Sequence, residues 1–289
     1  MHLKIKLIAL DMDGTALLND HRSITDRTRK AINQAAAQNI LVVPTSGRII
    51  SVLPGQVMSL PGIRFAVTSN GSLAYRLPEA KVVYHNYIPP QNALGLLKDL
   101  PRNLWVEIWS RGKIYIEHGK MSHWSDYVLN PFHAQVIRKI GVESKSFLEG
   151  PAEPFGSIEK INLPVMSDDL KEKLRIRFLS YPEFAFMGTE HGFEIMNAGT
   201  SKASGLVGLC SYLQHRQGIH IQKDNIMAIG DSINDQGMLQ CSGLGVAMGN
   251  AADCIKQTAG AVTSSNLENG AALAIEKYAL KTGAPPEQK

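Results

Sequence analysis

The sequence predicts an α/β fold: a Rossmann-like, doubly wound parallel sheet with an inserted α+β cap domain. Short apolar runs that end in polar or glycine-rich turns recur near both ends of the chain and are typical of buried parallel strands: residues 7–10, 40–43, 65–67, 226–229 and 244–247. Helical patterns lie between these runs, as a doubly wound sheet requires: residues 25–38, 201–217 and 269–280.

The middle of the chain differs in its sequence pattern from the two ends. From about residue 84 to residue 190 it holds all three tryptophans, an alternating segment at 113–117 and a helical pattern at 91–100. This mixture indicates an α+β unit placed within the α/β unit. We therefore assign residues 1–83 and 191–289 to the core and residues 84–190 to the cap.

Composition narrows the class of protein. The chain has 289 residues, of which 44% are hydrophobic and 19% charged, which is typical of a globular protein with a full core. A net charge of +4, without a run of five basic residues, argues against a nucleic-acid or membrane partner. We expect a small anionic partner instead, bound by a monomer or a homodimer.

The cysteines and the first ten residues indicate the cellular compartment in which the protein is expected. Cys210, Cys241 and Cys254 are an odd number without Cys-x-x-Cys spacing, so we interpret them as reduced core thiols. The segment Met1–Leu10 alternates lysine with apolar residues, unlike a signal peptide, and no stretch approaches the roughly 18 apolar residues of a membrane span. These features predict a cytoplasmic protein.

A pair of carboxylates follows the first predicted strand. Asp11 and Asp13 stand two residues apart, so the alternation of an extended chain can point both into one cleft, and Gly14 permits a tight turn. Two uncompensated carboxylates repel each other, and a divalent cation between them would remove the repulsion. A solvated turn is the alternative for this motif taken alone.

A second acidic cluster follows the strand-like segment 225–229. It reads Gly-Asp-Ser-Ile-Asn-Asp over residues 230–235. If the two strands are neighbours in one parallel sheet, Asp11 and Asp231 meet at its carboxyl edge and can hold Mg²⁺, which prefers carboxylates, waters and phosphate oxygens.

Two further segments suit phosphate. Residues 45–48 read Thr-Ser-Gly-Arg at the end of another buried run, and they offer hydroxyls, a glycine and a guanidinium. Lys202 opens a helix, where the helix dipole disfavours a cation. A solvated surface lysine is one interpretation; beside two acidic clusters, Lys202 can instead neutralise a nucleophile and a bound phosphate.

Together these four segments resemble the motifs of the haloacid dehalogenase superfamily, and more closely its Cof-type phosphatases, which carry a type IIB α/β cap. Asn70-Gly71, residues 245–250 and residues 265–270 also match that group. The resemblance covers essentially the whole chain; it is specific in the core and loose in the cap.

The resemblance implies roles for the acidic residues. Asp11 would attack phosphorus to form an aspartyl-phosphate, while Asp13 would protonate the leaving oxygen and then deprotonate water. The side chains of Asp11 and Asp231 and the backbone carbonyl of Asp13 would bind Mg²⁺. Asp235 would support the metal indirectly or through a water.

The resemblance also implies contacts to the phosphoryl group. Ser46 would supply the hydroxyl, with the neighbouring Thr45 as the donor if the register is shifted by one residue. Lys202 would neutralise charge. Further phosphate or substrate contacts are expected from Gly47, Arg48, Asn70 and Asn234.

The implied activity is a Mg²⁺-dependent phosphatase of small phosphorylated metabolites. Sugar phosphates are the favoured class, with pyridoxal phosphate or flavin mononucleotide as further options, because the cap's specificity is open. A sugar phosphomutase is the alternative enzyme, and a non-catalytic protein that binds a phosphorylated metabolite is the alternative class. Five cap residues are candidates for lining the pocket, although a place at the surface or in the cap core is the favoured interpretation of each: Trp105, Glu107, His118, His123 and Glu190.

Overall fold

The computed structural model describes residues 4–127, 130–148, 155–165 and 167–280. Within these ranges the strands are, in chain order, β1 (Leu7–Leu10), β2 (Leu41–Pro44), β3 (Phe65–Thr68), β4 (Leu73–Arg76), β5 (Lys81–His85), β6 (Glu107–Ser110), β7 (Lys113–Glu117), β8 (Gly141–Ser144), β9 (Ile158–Pro164), β10 (Phe184–Thr189), β11 (Gly192–Asn197), β12 (Ile226–Gly230), β13 (Leu244–Ala247) and β14 (Ala261–Val262). The helices are α1 (Asp26–Ala37), α2 (Gly55–Met58), α3 (Pro90–Asp99), α4 (Pro131–Ile140), α5 (Asp168–Phe178), α6 (Lys202–Gln217), α7 (Gln236–Cys241), α8 (Asp253–Lys256) and α9 (Gly270–Tyr278).

The central sheet is parallel and has the strand order β14-β13-β12-β1-β2. Strands β1, β2 and β12 are buried along their whole length, as their apolar runs predict. In the register of β1 with β12, Leu10 pairs with Ile229. The residues that follow these two strands therefore leave the sheet side by side at its carboxyl edge.

Strand β3 departs from the prediction. It is buried as expected, but it pairs antiparallel with β4 in a separate sheet of order β3-β4-β5, and it joins the central sheet through a parallel bridge between Thr45 and Val67. The cause is the turn directly after β3, where Ser69, Asn70 and Gly71 all have positive φ. This turn reverses the chain, so the next strand returns beside β3.

Helices cover both faces of the central sheet, which gives the expected doubly wound architecture. Helix α1 packs against α9 on one face, and α6 packs with α7 on the other, against β3 and β5. The predicted helix limits agree with the structure because capping residues mark them: the hydroxyls of Thr25 and Ser201 accept hydrogen bonds from the backbone N–H groups of Thr28 and Ser204.

The inserted unit is built on a second sheet of order β10-β11-β9-β6-β7-β8. Helices α3 and α5 pack on one of its faces, and α4 packs on part of the other. Side chains alternate between the two faces along each strand. In β6, Ile108 therefore points toward α3 and α5, while Glu107 and Trp109 point toward the face that meets the core.

The limits of the inserted unit differ from the predicted 84–190. Strand β5 contains Tyr84 but pairs with β4 on the core side, and β11 continues the cap sheet as far as Asn197. We propose limits near residues 86 and 197. The two connections are hydrogen-bonded to each other: Asn86 donates to the Ala198 carbonyl (3.1 Å) and accepts from Asn197 (2.7 Å). This paired connection is called the neck below.

The cysteines are free thiols, as expected, but they are not core residues. Cys210 and Cys241 are half-buried and Cys254 is exposed. Cys254 lies on α8, a short helix that turns Ile255 inward and leaves its other side chains at the surface. Among the described residues, no helix has the length and apolar character needed to cross a membrane.

Candidate active site

The two acidic clusters meet at the carboxyl edge of the central sheet, as the sequence predicts. The backbone N–H of Asp11 donates to the carbonyl of Ile229 at 3.0 Å, which ties the end of β1 to β12. Carboxylate oxygens of Asp11, Asp231 and Asp235 all lie within 4.8 Å of one another. Three carboxylates thus share one small volume.

Lys202 lies between two of these carboxylates. Its ammonium is 2.6 Å from Asp11 Oδ1 and 2.6 Å from Asp235 Oδ1, and its side chain is 1% exposed. Burial alone would lower the pKa of Lys202, but the charges of Asp11 and Asp235 raise it, so the amine stays protonated. The interpretation of Lys202 as a solvated surface residue is wrong.

Asp235 holds the second acidic loop in place. Its Oδ2 accepts from the backbone N–H groups of Asp231 and Ser232, both at 3.0 Å, while Oδ1 accepts from Lys202. A Cβ on Gly230 would come within 2.5 Å of the Asp235 Cβ, so this position requires glycine. Because donors engage both of its oxygens, Asp235 is placed to position Lys202 and Asp231.

Asp231 faces the turn that follows Asp11. Its carboxylate accepts a hydrogen bond from Thr15 Oγ1 at 3.1 Å. Asn250 donates to the Gly14 carbonyl at 2.9 Å and so ties the turn to the loop after β13. Burial, followed by the negative charge of Asp235, raises the pKa of Asp231 to about 6. Asn250 has no role in the sequence prediction beyond lying in a matching segment.

Asp13 is held by an arginine and a histidine. Arg48 donates to Asp13 Oδ2 through Nε at 2.7 Å and to Oδ1 through Nη2, and His21 Nδ1 lies 2.8 Å from Oδ1. Partial burial would raise the pKa of Asp13, but the hydrogen bonds and charge of Arg48 lower it, with help from His21. The carboxylate is therefore ionised in this arrangement.

The contacts of Arg48 and His21 were not foreseen. We expected Arg48 to contact phosphate or substrate, and in the structure it pairs with Asp13 and lies 4.5 Å from the ring centroid of Phe132 in the cap. His21 is a single histidine after an acidic motif and forms no recognisable spacing pattern with other residues. Nothing in the sequence therefore identifies it as a partner of Asp13.

The hydroxyl turn presents Ser46 to the cavity between core and cap. Ser46 lines that cavity, and its Oγ accepts from the backbone N–H of Arg48 at 3.1 Å. The Thr45 hydroxyl is fully buried and donates to the Val43 carbonyl at 3.1 Å, away from the cavity. The structure thus places Ser46, and not Thr45, beside the carboxylates.

Asn70, Asn234 and Gly47 also line the cavity and lie close to one another. Asn234 donates to Asn70 Oδ1 at 3.2 Å, and Asn70 donates to Glu194 of the cap. A Cβ on Gly47 would come within 2.8 Å of Asn70 Oδ1, so only glycine lets the two turns approach this closely. The core and the cap are thus in direct polar contact at the site.

The cavity between the core edge and the cap has a volume of about 320 Å³. Its cap wall consists of Trp109, Phe132, His133, Lys160, Met187, Thr189 and Glu194. The five cap residues named as candidates from the sequence do not line it, and each has the alternative place, in the cap core or at the surface. Trp105 and Glu107 are buried behind this wall, and three lie exposed elsewhere: His118, His123 and Glu190.

The donor set fits a hard divalent cation. Asp11 and Asp231 offer carboxylate oxygens, and burial together with the charges of neighbouring carboxylates raises the pKa of both groups against the opposing effect of Lys202. The raised pKa values show that the negative charge of these carboxylates is buried and that one lysine does not fully compensate it. Gly14 leaves room, since a Cβ there would come within 2.4 Å of Asp231 Oδ2. Oxygen ligands of this kind are those that Mg²⁺ prefers.

Comparison with known proteins identifies the family. The profile of the haloacid dehalogenase-like hydrolases matches residues 8–275, so the chain belongs to this family. A structure of a haloacid dehalogenase-like hydrolase from B. subtilis is 28% identical, with a TM-score of 0.76, and the match covers 94% of this chain and 99% of that one.

One relative bears on the class of enzyme, and a second solved structure repeats the fold. The 5-amino-6-(5-phospho-D-ribitylamino)uracil phosphatase YcsE of Bacillus subtilis is 29% identical over 281 residues, with 96% of each chain covered. The subclass IIB sugar phosphatase BT4131 shares the fold, with a TM-score of 0.71 and 21% identity over 94% of this chain and 98% of that one. The chain is a phosphoric monoester hydrolase of this superfamily.

Proposed function

We propose that this protein is a Mg²⁺-dependent phosphatase that hydrolyses sugar phosphates or closely related polyol phosphates through an aspartyl-phosphate on Asp11. One observation carries the proposal: Asp11 lies in the cavity and accepts a hydrogen bond from Lys202 at 2.6 Å, beside Asp231, Asp13 and Ser46. This arrangement combines a nucleophile, a second carboxylate for proton transfer and donors for phosphate oxygens.

In the first step an Asp11 oxygen attacks phosphorus, and the bond from phosphorus to the leaving oxygen breaks. Lys202 neutralises charge on the phosphoryl oxygens, to which the Ser46 hydroxyl donates. Asp13, which is ionised in the arrangement described above, would take up a proton from solvent when the phosphate monoester binds and would give it to the leaving oxygen. The bound Mg²⁺, held by Asp11, Asp231 and the carbonyl of Asp13, would lower the repulsion between the carboxylate and the phosphate.

In the second step water attacks the phosphorus of the aspartyl-phosphate. Asp13 takes a proton from this water, and the bond between Asp11 and phosphorus breaks, which releases inorganic phosphate and restores the Asp11 carboxylate. The ion pair with Arg48 favours the ionised form of Asp13 that this step needs.

Contacts between the cap and the core support a closed reaction chamber. Lys160 donates to the Gly47 carbonyl at 3.0 Å, and Ser51 donates to the Gly112 carbonyl at 2.6 Å. A cap held over the cavity excludes bulk water and surrounds the leaving group. The polar wall residues Lys160, Thr189 and Glu194 can hydrogen-bond hydroxyl groups, which favours a sugar or polyol.

Similarity to YcsE supports the same substrate class, because the substrate in its name is a ribityl phosphate. Pyridoxal phosphate and flavin mononucleotide belong in the same screen, since aromatic side chains also line the cavity. Neither has a specific contact in the structure that would favour it.

The test is release of inorganic phosphate from a broad panel of phosphorylated metabolites, with Mg²⁺ and with a chelator. We expect release that requires Mg²⁺ and is abolished in Asp11→Asn. The matched control is Asp26→Asn, which changes an exposed carboxylate at the start of α1 and should retain activity. Hydrolysis that survives in Asp11→Asn would reject Asp11 as the nucleophile.

Two other outcomes would reject the hydrolase. Isomerisation of a sugar phosphate without release of phosphate would identify a phosphomutase. Tight binding of a phosphorylated metabolite without any turnover would identify a binding protein.

A further inference from the structure

A second cavity lies within the cap, next to the catalytic cavity. It has a volume of about 260 Å³, and the two cavities share three wall residues: His133, Thr189 and Glu194. The far wall of the second cavity includes Tyr127, Asn162 and other cap residues. The two cavities therefore adjoin at His133, and a leaving group larger than the catalytic cavity would reach the second one past this residue.

Behind this shared wall lies a fully buried carboxylate. Glu107 is 0% exposed and accepts side-chain hydrogen bonds from Trp105 (2.9 Å), Trp109 (3.0 Å), His133 (2.8 Å) and Asn162 (3.2 Å). Four donors satisfy the oxygens of one carboxylate and keep it ionised. A buried ion pair contributes little net stability compared with apolar residues of similar size. Stability therefore does not explain why a charged Glu107 is buried at this position.

The geometry of His133 supplies an explanation. Its Nε2 bonds to Glu107, and its ring stacks on Trp109 with centroids 5.9 Å apart and an interplanar angle of 22°. Among the described residues, the bond to Glu107 is the one side-chain hydrogen bond that the His133 ring makes. Nδ1 is therefore the ring nitrogen left for a ligand at the junction of the two cavities.

The electrostatic surroundings of His133 come from three strands packed against it. Burial would lower the pKa of His133, but Glu107 on β6 raises it, opposed by Lys160 on β9 and assisted by Glu194 on β11. The imidazole is therefore protonated at higher pH than an ordinary histidine, and in that form Nδ1 carries a hydrogen to donate.

The charges of this wall also define what can bind. Lys160 forms an ion pair with Glu194, and its ammonium lies 4.2 Å from the ring centroid of Trp109, while His133 is paired with Glu107. Each of these two cations is paired with an anion, so neither supplies an unpaired positive charge for a second phosphate or a carboxylate. The wall suits an uncharged leaving group rich in oxygen atoms.

We propose that His133 is a substrate-binding residue that donates from Nδ1 to an oxygen of an uncharged polyhydroxyl leaving group extending from the catalytic cavity into the second cavity. Glu107 is its positioning residue: it fixes the ring and keeps it charged without touching substrate. This inference rests on the proposed phosphatase function and adds the residue that selects the leaving group.

The first test compares two substrates, ribitol 5-phosphate and acetyl phosphate, of which only the first has hydroxyl groups that reach His133. We expect His133→Gln to raise KM for ribitol 5-phosphate roughly 10- to 100-fold, as for loss of a charged hydrogen bond, with a much smaller effect on acetyl phosphate. His118→Gln is the matched control, because His118 is an exposed cap histidine paired with Glu143. Equal losses on both substrates, or no loss, would reject the role.

The pH profile separates binding from a purely structural role. In the native protein KM for ribitol 5-phosphate should rise as pH passes upward through the raised pKa of His133, because neutral imidazole no longer donates from Nδ1. In Glu107→Gln that rise should move to lower pH, since the anion that stabilises imidazolium is gone. A profile that does not move would reject Glu107 as the positioning residue.

A binding measurement separates this inference from the proposed function. Ribitol 5-phosphate is titrated into Asp11→Asn, which retains His133, and the His133 imidazole is followed by NMR. A shift of the His133 signals on binding supports the inference even if the native protein shows no turnover, whereas turnover in the native protein without such a shift rejects the inference alone.

Discussion

Arg48 donates two hydrogen bonds to the carboxylate of Asp13, through Nε at 2.7 Å and through Nη2. The same guanidinium lies against Phe132, a residue of the cap. The proposed proton-transfer group of the core is therefore positioned by a side chain that also contacts the inserted unit. One arginine thus joins the cap to the carboxylate of Asp13.

Replacing Arg48 by lysine keeps the charge but loses the planar pair of donors. We expect Arg48→Lys to lower kcat by about 10-fold, because Asp13 is no longer fixed toward the leaving oxygen. Steady-state kinetics on any substrate found in the screen provide the measurement. Arg27→Lys is the control, since Arg27 binds Glu276 with the same two-nitrogen geometry at the surface. Equal effects of the two changes would contradict this role of Arg48.

Gly14 combines a positive φ of 74° with close approach to Asp231. Gly14→Ala should therefore lose about 1–2 kcal/mol from backbone strain and also weaken Mg²⁺ binding, because the new methyl group displaces the Asp231 carboxylate. Gly218→Ala is the control, since Gly218 has a φ of 65° and open space around its Cα. Calorimetric titration with Mg²⁺ should show weaker binding for Gly14→Ala alone, and unchanged affinity in that variant would contradict the model of the site.

Lys202 compensates two buried carboxylates. Lys202→Met should lower the free energy of unfolding by about 3–5 kcal/mol when measured without metal, because Asp11 and Asp235 are left buried without a cation. Mg²⁺ should restore part of this loss. Lys173→Met, which breaks an exposed pair with Asp169, should have little effect in the same denaturant titration. A small loss in Lys202→Met would mean that the carboxylates take up protons instead.

Glu159 is a buried acid where the cap meets the core, with Ser69 donating to it at 2.6 Å. Burial raises its pKa from 4.5 to about 7. Between these values the folded state holds a proton that the unfolded state has released, so stability falls as pH rises from 4.5 to 7, by roughly 3 kcal/mol in total. Below pH 4.5 both states are protonated and the effect vanishes.

Glu159→Gln removes this titration. It should unfold at higher denaturant than the native protein at pH 8 and show no such advantage at pH 4.5. Glu172→Gln, a change at an exposed glutamate paired with Arg175, should lack the difference between the two pH values. A pH-independent effect of Glu159→Gln would show that Glu159 is ionised in the folded protein throughout this range.

The core of the site could be predicted because its determinants are local. Apolar runs followed directly by carboxylates mark where strands end, and the geometry of a parallel sheet then brings Asp11 and Asp231 to one edge. The helix that begins at Lys202 is also marked locally, by the N-cap residue Ser201 directly before it. Each of these predictions needed only short segments and a general property of sheets.

The remainder depended on contacts between distant segments. Arg48 is separated from Asp13 by 35 positions, and nothing in either segment favours that partner over a phosphate. In the cap, Trp105, Glu107 and Trp109 alternate along one segment, and only Trp109 reaches the cavity, while Trp105 packs in a cluster with residues of α4. The antiparallel pairing of β3 likewise follows from backbone angles at Ser69 and Asn70 that residue types alone do not specify.

The neck, in which Asn86 joins the outgoing and returning chains, brings the two covalent connections of more than a hundred inserted residues together at one place. A unit tethered in this way can be replaced or diversified without disturbing the sheet that carries the carboxylates. Evolution can thus treat chemistry and selectivity as separable modules. Transplanting the segment between the two crossings from one relative to another is the natural route to an enzyme with the same reaction and a new preference.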